Sequence, residues 1–283
     1  MLSKNYEVFI GCEANFDTAD IVLFGAPYDS TTSYRPGARF GCRAIRTESG
    51  GLETYSPYQD KDLTERSICD SGDIELPFGA SEQALYLIKK RADVILNAGK
   101  VPFMLGGEHL VTLGAVQAAY AKYPNLSIIH FDAHTDLRDD YLGVKLSHAC
   151  VIRRCWDMLG NGRIWQFGIR SGDKAEFAWA NAGHTHLQKF DFSGLTDVLQ
   201  NLSGQPVYFT LDLDVLDPAY FPGTGTPEAG GVTFRELLDA TLTVCRHANV
   251  VALDVNELAP NLDASGVSTA VAGKLVRELL LAI

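Results

Sequence analysis

Residues 126–136, LSIIHFDAHTD, decide the fold. The run from Ile128 to Phe131 is apolar except for His130, and it passes without a turn signal into Asp132, His134 and Asp136. A continuous apolar run of this kind belongs to a parallel strand covered by helices on both faces. Comparable runs recur outward from it: DIVLFG from Asp20, VPFMLGG from Val101, RIWQFGIR from Arg163, PVYFTLDLD from Pro206 and VVALDVNE from Val250. Helical patterns separate them. Ser81 is expected to cap a helix with Leu85, Ile88, Ala92 and Ile95 on one face and Gly99 as its stop signal. Thr233 and Glu236 form a capping box ahead of Leu237, Leu238 and Leu242, and a final helix runs through Val271, Leu275, Val276 and Leu279. This alternation predicts a three-layer α/β/α fold with a central, mostly parallel sheet. Ligand sites in such sheets lie beyond the carboxyl ends of the strands.

The chain has 283 residues and a formal net charge of −11. No repeat, low-complexity segment or Pro/Ser linker divides it, so residues 1–283 are expected to form a single domain. A core of this size folds without disulfides or a structural metal, and any metal is therefore there for chemistry. No apolar run approaches the roughly 20 residues of a membrane span. The N-terminal MLSKNYEVFIGCEANF lacks the long apolar stretch of a secretory signal, which predicts residence in the cytoplasm. Six cysteines without Cys-x-x-Cys spacing read as reduced, mostly buried thiols. The acidic balance argues against nucleic acid and membrane surfaces as partners and favours a small cationic molecule.

Three strand ends carry the candidate chemistry. If the first strand stays extended past Phe131, its period of two sends Asp132, His134 and Asp136 to one side. TLDLDVLDP delivers Asp212 and Asp214 at the same spacing, and His109 follows Gly106 and Gly107 where a strand turns into a helix. Taken singly, each has a plain structural explanation: an Asp-x-Asp at a strand end is often turn chemistry, and a Gly-Gly-Glu-His turn often presents a surface imidazole. Four carboxylates and two imidazoles at three strand ends are hard to explain separately, because unpaired charge beside apolar strands is costly. The charge of four aspartates matches two divalent ions. Oxygen and imidazole donors without thiolate suit Mn²⁺ better than structural Zn²⁺ and leave Fe²⁺, Co²⁺ and Zn²⁺ open. Two such ions lower the pKa of a bridging water, so metal-assisted hydrolysis by the resulting hydroxide is the natural reaction class.

GGEH, DAHTD and LDLDVLDP, followed by GTGTPEAGG and DVNELAP, closely resemble the ureohydrolase family of arginase and agmatinase, its bacterial agmatinases most of all. GAPYDSTTSYRPGARFGCRAIR from Gly25 resembles the start of the family, so the likeness covers nearly the whole chain. It implies a centre of two Mn²⁺ ions per subunit, one held by His109, Asp132, Asp136 and Asp212, the other by His134, Asp132, Asp212 and Asp214. It further implies that Glu257 binds the guanidinium, that His148 transfers a proton, that Asp136 is counted with them as catalytic, and that Thr226 helps orient Glu257. A carboxylate can pair with two guanidinium N–H groups and fix the carbon for attack, and a His with a pKa near neutrality can protonate the leaving amine. His130, His184, His186 and His247 lack matching partners and stay outside the site. Glu108 and Leu110 depart from the family's commoner Asp and Ser, which touches the fine geometry around the centre.

Where arginases carry an Asn that helps bind the amino acid's carboxylate, this chain has Arg138. The resemblance therefore implies hydrolysis of agmatine to putrescine and urea, with 4-guanidinobutyrate as a rival should Arg138 greet a carboxylate, and arginine as another. Arg138 could equally be a loop charge paired with Asp139 or Asp140. A one-zinc deacetylase and a non-catalytic guanidino-binding homologue are the other readings; paired Asp212 and Asp214 speak against the first, and the complete ligand set with His148 and Glu257 against the second. The resemblance also implies a homotrimer or homohexamer.

Overall fold

The computed structural model describes residues 7–283; the sequence reading of the first six residues lies outside them. Eight strands form one sheet: β1 (Ile21–Gly25), β2 (Ile68–Asp73), β3 (Val101–Leu105), β4 (Ser127–Phe131), β5 (Ile164–Ile169), β6 (His186–Lys189), β7 (Pro206–Asp212) and β8 (Asn249–Asn256). Their order is β2-β1-β3-β8-β7-β4-β5-β6, and every pairing is parallel. All six predicted runs are strands. The edge strands β2 and β6 were not among them.

Burial on both faces explains the apolar runs. In β7, Val207, Phe209 and Leu211 enter one core, and Tyr208 enters the other. On the first face pack the helices α1 (Gly41–Ser49), α6 (Leu195–Asn201), α7 (Phe234–His247) and α8 (Val267–Ala282); on the second pack α2 (Ser81–Asn97), α3 (Thr112–Lys122) and α4 (Val151–Leu159). A short α5 (Lys174–Trp179) follows β5. Helix α7 has the predicted capping box, with Thr233 and Glu236 each bonding the other's backbone. Helix α2 differs from expectation: Ser81 is its first residue and not its cap, because the Ser81 hydroxyl lies 2.9 Å from the Tyr28 hydroxyl and bonds there instead. All six cysteines are free, and five are buried.

The site follows from where the central strands stop. Val255 of β8 is in register with Leu105 of β3, Asn256 of β8 with Asp212 of β7, and Leu211 of β7 with Phe131 of β4. Strands β3, β8, β7 and β4 are neighbours, and they end side by side. Strand β3 leads through α3 to β4 with β8 and β7 inserted between them, which is the kind of switch point where such sheets open a crevice.

Candidate metal centre

Three of the four adjacent strand ends supply the predicted ligands. His109 opens a 3-10 turn after β3, Asp132 and His134 follow β4 directly, Asp212 ends β7, and Asp214 lies in the 3-10 turn that follows. All but His134 are buried. Strand β4 stops at Phe131, so Asp136 does not arrive by continued extension: its backbone turns left-handed, φ 53°, and this bend carries its carboxylate back to His109. Gly107 permits the tight path before His109, since a Cβ there would overlap the Tyr28 backbone.

His109 Nδ1 lies 3.1 Å from Asp132 Oδ2, 3.0 Å from Asp136 Oδ2 and 3.5 Å from Asp212 Oδ2. His134 Nδ1 lies 3.0 Å from Asp214 Oδ2 and 3.5 Å from Asp132 Oδ1. Asp132 thus offers one oxygen to each imidazole, as a residue shared by two ions would. His109 Nδ1 is buried, and although three carboxylates surround it, none meets it in hydrogen-bond geometry. Its Nε2 is 2.9 Å from Thr210 Oγ1; donation there leaves a lone pair on Nδ1 aimed among acidic oxygens, which suits a cation. Donor set and geometry fit a pair of divalent ions.

The electrostatics point the same way. Burial, then the charge of Asp132, pushes Asp136 up to about 7. Burial with Asp214 and Asp132 nearby raises Asp212 well above the usual carboxylate range. Asp132 goes the other way: burial would raise it, but the His109 and His130 imidazoles beside it hold it well down. Despite burial, their carboxylate partners hold His109 and His134 well above an ordinary imidazole. So dense an acidic cluster is stable as fully ionised carboxylates only with cations among them.

His130, left outside the site on sequence grounds, stands against the cluster, close enough to His109 and Asp132 for the three to share a cation. Its Nε2 donates to Asp132 Oδ2 at 2.8 Å and its Nδ1 accepts from Gln166 at 3.1 Å, so both ring nitrogens already have partners. His184, His186 and His247 lie elsewhere: His184 stacks on Trp179, His186 stacks on Trp165, and His247 ends α7. Sequence reasoning missed several supports. Arg170 donates to the carbonyls of Asp214, Val215 and Glu228 at 2.8, 3.1 and 2.8 Å and clamps the turn that carries Asp214. Glu176 accepts from Thr135 Oγ1 at 2.6 Å and from Leu137 N at 3.0 Å, holding the loop after β4. The capping-box spacing of Asp173 and Glu176 was a readable signal; Arg170 offered none.

Glu257 follows β8 with a left-handed backbone, φ 69°. Its N–H donates to Gly107 O at 2.9 Å, and its Oε1 accepts from His109 N at 2.7 Å. Burial, then the charges of Glu108 and Asp214, raise this carboxyl well above its ordinary value. Thr226 corrects an expectation: its hydroxyl donates to Asp214 Oδ2 at 3.3 Å and so supports a candidate ligand, not Glu257. The His148 side chain faces a cleft of about 310 Å³ shared with His134, Asp136, Arg138, Tyr141 and Asp173. Arg138 pairs with neither Asp139 nor Asp140; its guanidinium lies 3.1 Å from Asp173 Oδ2 and 3.7 Å from Glu176 Oε2, over the Tyr141 ring. Asp139 binds Arg154 instead.

A sequence profile of the Arginase family matches residues 19–282. The agmatinase of Bacillus subtilis (strain 168) is 49% identical over 97% of this chain and 96% of its own. The guanidinobutyrase of Pseudomonas aeruginosa is 32% identical over 94% and 87%. The crystal structure of agmatine ureohydrolase of Thermoplasma volcanium superposes with a TM-score of 0.90 at 32% identity, covering 99% of this chain and 94% of that one. With three strand ends bringing the candidate ligands together and a match of this extent, the chain belongs to the arginase family.

Proposed function

We infer that the protein is an agmatinase, a ureohydrolase that splits agmatine into putrescine and urea. The near full-length identity with a bacterial agmatinase carries this reading, and the cleft agrees with it. Among the described residues Arg138 is the one Lys or Arg lining the cleft, and its guanidinium is paired with Asp173 and stacked on Tyr141. A substrate carboxylate therefore meets no free cation there, which favours agmatine over 4-guanidinobutyrate and arginine.

His109, Asp132, Asp136 and Asp212 would hold one ion, and His134, Asp132, Asp212 and Asp214 the other. Two divalent ions, manganese in this reading, supply activation of water at neutral pH. Glu257, with Oε1 fixed by the His109 N–H and Oε2 without a hydrogen-bond partner among the described residues, receives the guanidinium N–H groups. His148 then handles the proton. Its imidazole is not poised near neutrality as expected: burial, then the neighbouring His134 and His109, pull it down to about 4. It starts neutral, takes up a proton as the nucleophile adds, and returns it to the departing amine nitrogen. As metal ligands, His109 and His134 would be uncharged, and their share of that depression would be absent.

Urea release from agmatine, arginine and 4-guanidinobutyrate by Mn²⁺-loaded protein tests the assignment. Agmatine should be the fastest substrate; turnover of either other compound without agmatine would sink it. Metal analysis should find two manganese per chain, whereas one zinc would favour amide hydrolysis. We place the enzyme in the cytoplasm as a homotrimer or homohexamer; no helix among the described residues is long and apolar enough to cross a membrane. A monomer mass by light scattering would overturn the oligomer.

A further inference from the structure

Glu108 is a fully buried carboxylate outside the metal set. Among the described residues, every hydrogen bond to its carboxylate comes from the dipeptide Thr31–Thr32. Thr31 N donates to Oε2 at 2.9 Å and to Oε1 at 3.2 Å, Thr31 Oγ1 donates to Oε1 at 2.7 Å, and Thr32 Oγ1 donates to Oε2 at 3.1 Å. The same Thr31 hydroxyl accepts from His148 N at 3.0 Å, and the next residue but one, Ser33, lies with its Oγ 3.1 Å from His148 Nε2. His148 is therefore held at its backbone and at its imidazole by residues 31 and 33. On the other side of Glu108, the neighbouring residues Gly107 and His109 hold Glu257 through the carbonyl of one and the N–H of the other.

Burying a carboxylate is unfavourable unless donors satisfy it. Here Thr31 and Thr32 supply those donors, so the position of their loop and the burial of Glu108 depend on each other. The base of the loop is closed separately, by Asp29 Oδ2 accepting from Gly37 N at 2.9 Å. Glu108 acts at its tip.

We propose that Glu108 is a positioning residue for the proton transfer: by holding Thr31 and Thr32 it places His148 relative to the Glu257 that its own backbone neighbours secure. The proposal rests on the reading of His148 as the group that protonates the leaving amine. Glu108 itself touches neither substrate nor metal. Nothing in this arrangement requires Glu108 to gain or lose a proton during turnover.

Glu108→Gln keeps the size of the side chain but turns one acceptor into an NH₂ facing Thr donors. In Mn²⁺-loaded protein it should lower kcat on agmatine by about 10- to 100-fold, with KM changed less than about threefold and the metal content of the native enzyme retained. In a His148→Ala background the same change should add almost nothing, because the group it positions is gone. Losses that multiply, or manganese lost along with kcat, would overturn the proposal, as would full activity. Thr31→Val should reproduce the loss and Thr31→Ser restore it, which keeps the test decisive if Glu108→Gln folds poorly. A second measurement does not depend on substrate: in Zn²⁺-loaded protein the His148 imidazole ¹H–¹⁵N resonances should shift in Glu108→Gln, while those of His109 and His134 stay in place. Absence of urea release from agmatine by the native protein would remove the functional reading; unmoved His148 resonances would remove this one.

Discussion

Asp132 sits between two imidazoles, whereas His148 and Glu257 border the ligand cluster without belonging to it, and substitutions should separate along that line. Asp132→Ala and Asp212→Ala should lose bound manganese and nearly all activity together. His148→Ala should keep its metal and lose about 100- to 10,000-fold in kcat. Plasma mass spectrometry of the dialysed variants checks this, and full metal in Asp132→Ala would contradict it. Asp136 allows a prediction about pH. Its folded pKa of about 7 exceeds the roughly 3.9 of an unfolded Asp. The folded state therefore binds the extra proton between these values, and metal-free protein should lose stability as pH rises from about 4 to about 7. Asp212 and Glu257 are shifted the same way and add to this slope; Asp132, held low, acts only below the ordinary range. Urea denaturation in EDTA at pH 5 and pH 7.5 should show the decline. Asp136→Asn should reduce it, and an unchanged slope in that variant would refute the assignment.

Helix α8 shows how the start of an element depends on one carboxylate in the turn before its N-cap, Gly266. Asp263 Oδ2 accepts from Ser268 N at 2.7 Å, and its Oδ1 accepts from Ser265 N and Oγ at 3.0 and 2.6 Å, so the carboxylate closes the turn that starts the helix. Burial opposes the charge, but the Ser265 and Ser268 bonds prevail and bring Asp263 down to about 2. Its contribution should be present above the unfolded value near 3.9 and fade as pH falls toward 2. Asp263→Ala should cost about 1 kcal/mol at neutral pH, read as a lower urea midpoint; an unchanged midpoint would show that the turn closes without it. The interior strands were legible because burial on both faces leaves an uninterrupted apolar run, as in SIIHF of β4. The edge strands β2, ICDSGD, and β6, HLQK, have no such run, since neighbours cover them less. The ligand identities were readable from strand-end spacing, but the left-handed turns at Asp136 and Glu257 were not: neither residue type announces a positive φ, and tertiary contacts hold both there. The partners of Thr226 and Arg138 were hidden for a related reason, because Asp214 and Asp173 reach them from loops distant in the chain.

At the scale of the whole molecule, a sheet that takes strands from Ile21 to Asn256 ties distant parts of the chain together. We predict that residues 1–283 unfold as one cooperative unit in calorimetry and that Mn²⁺ raises the midpoint by mass action; two resolved transitions would argue for separate domains. The side-by-side ending of β3, β8, β7 and β4 has a further consequence. The ionic pocket rests on the ends of interior strands, where any shift would disturb both cores, while Arg138, Tyr141 and Asp173 occupy loops past β4 and β5 toward one margin of the sheet. A fixed floor and an exchangeable rim are thus built from different parts of the fold. Evolution can redraw the rim for a guanidine compound with another tail while the floor, and the hydrolysis performed on it, stays as it was.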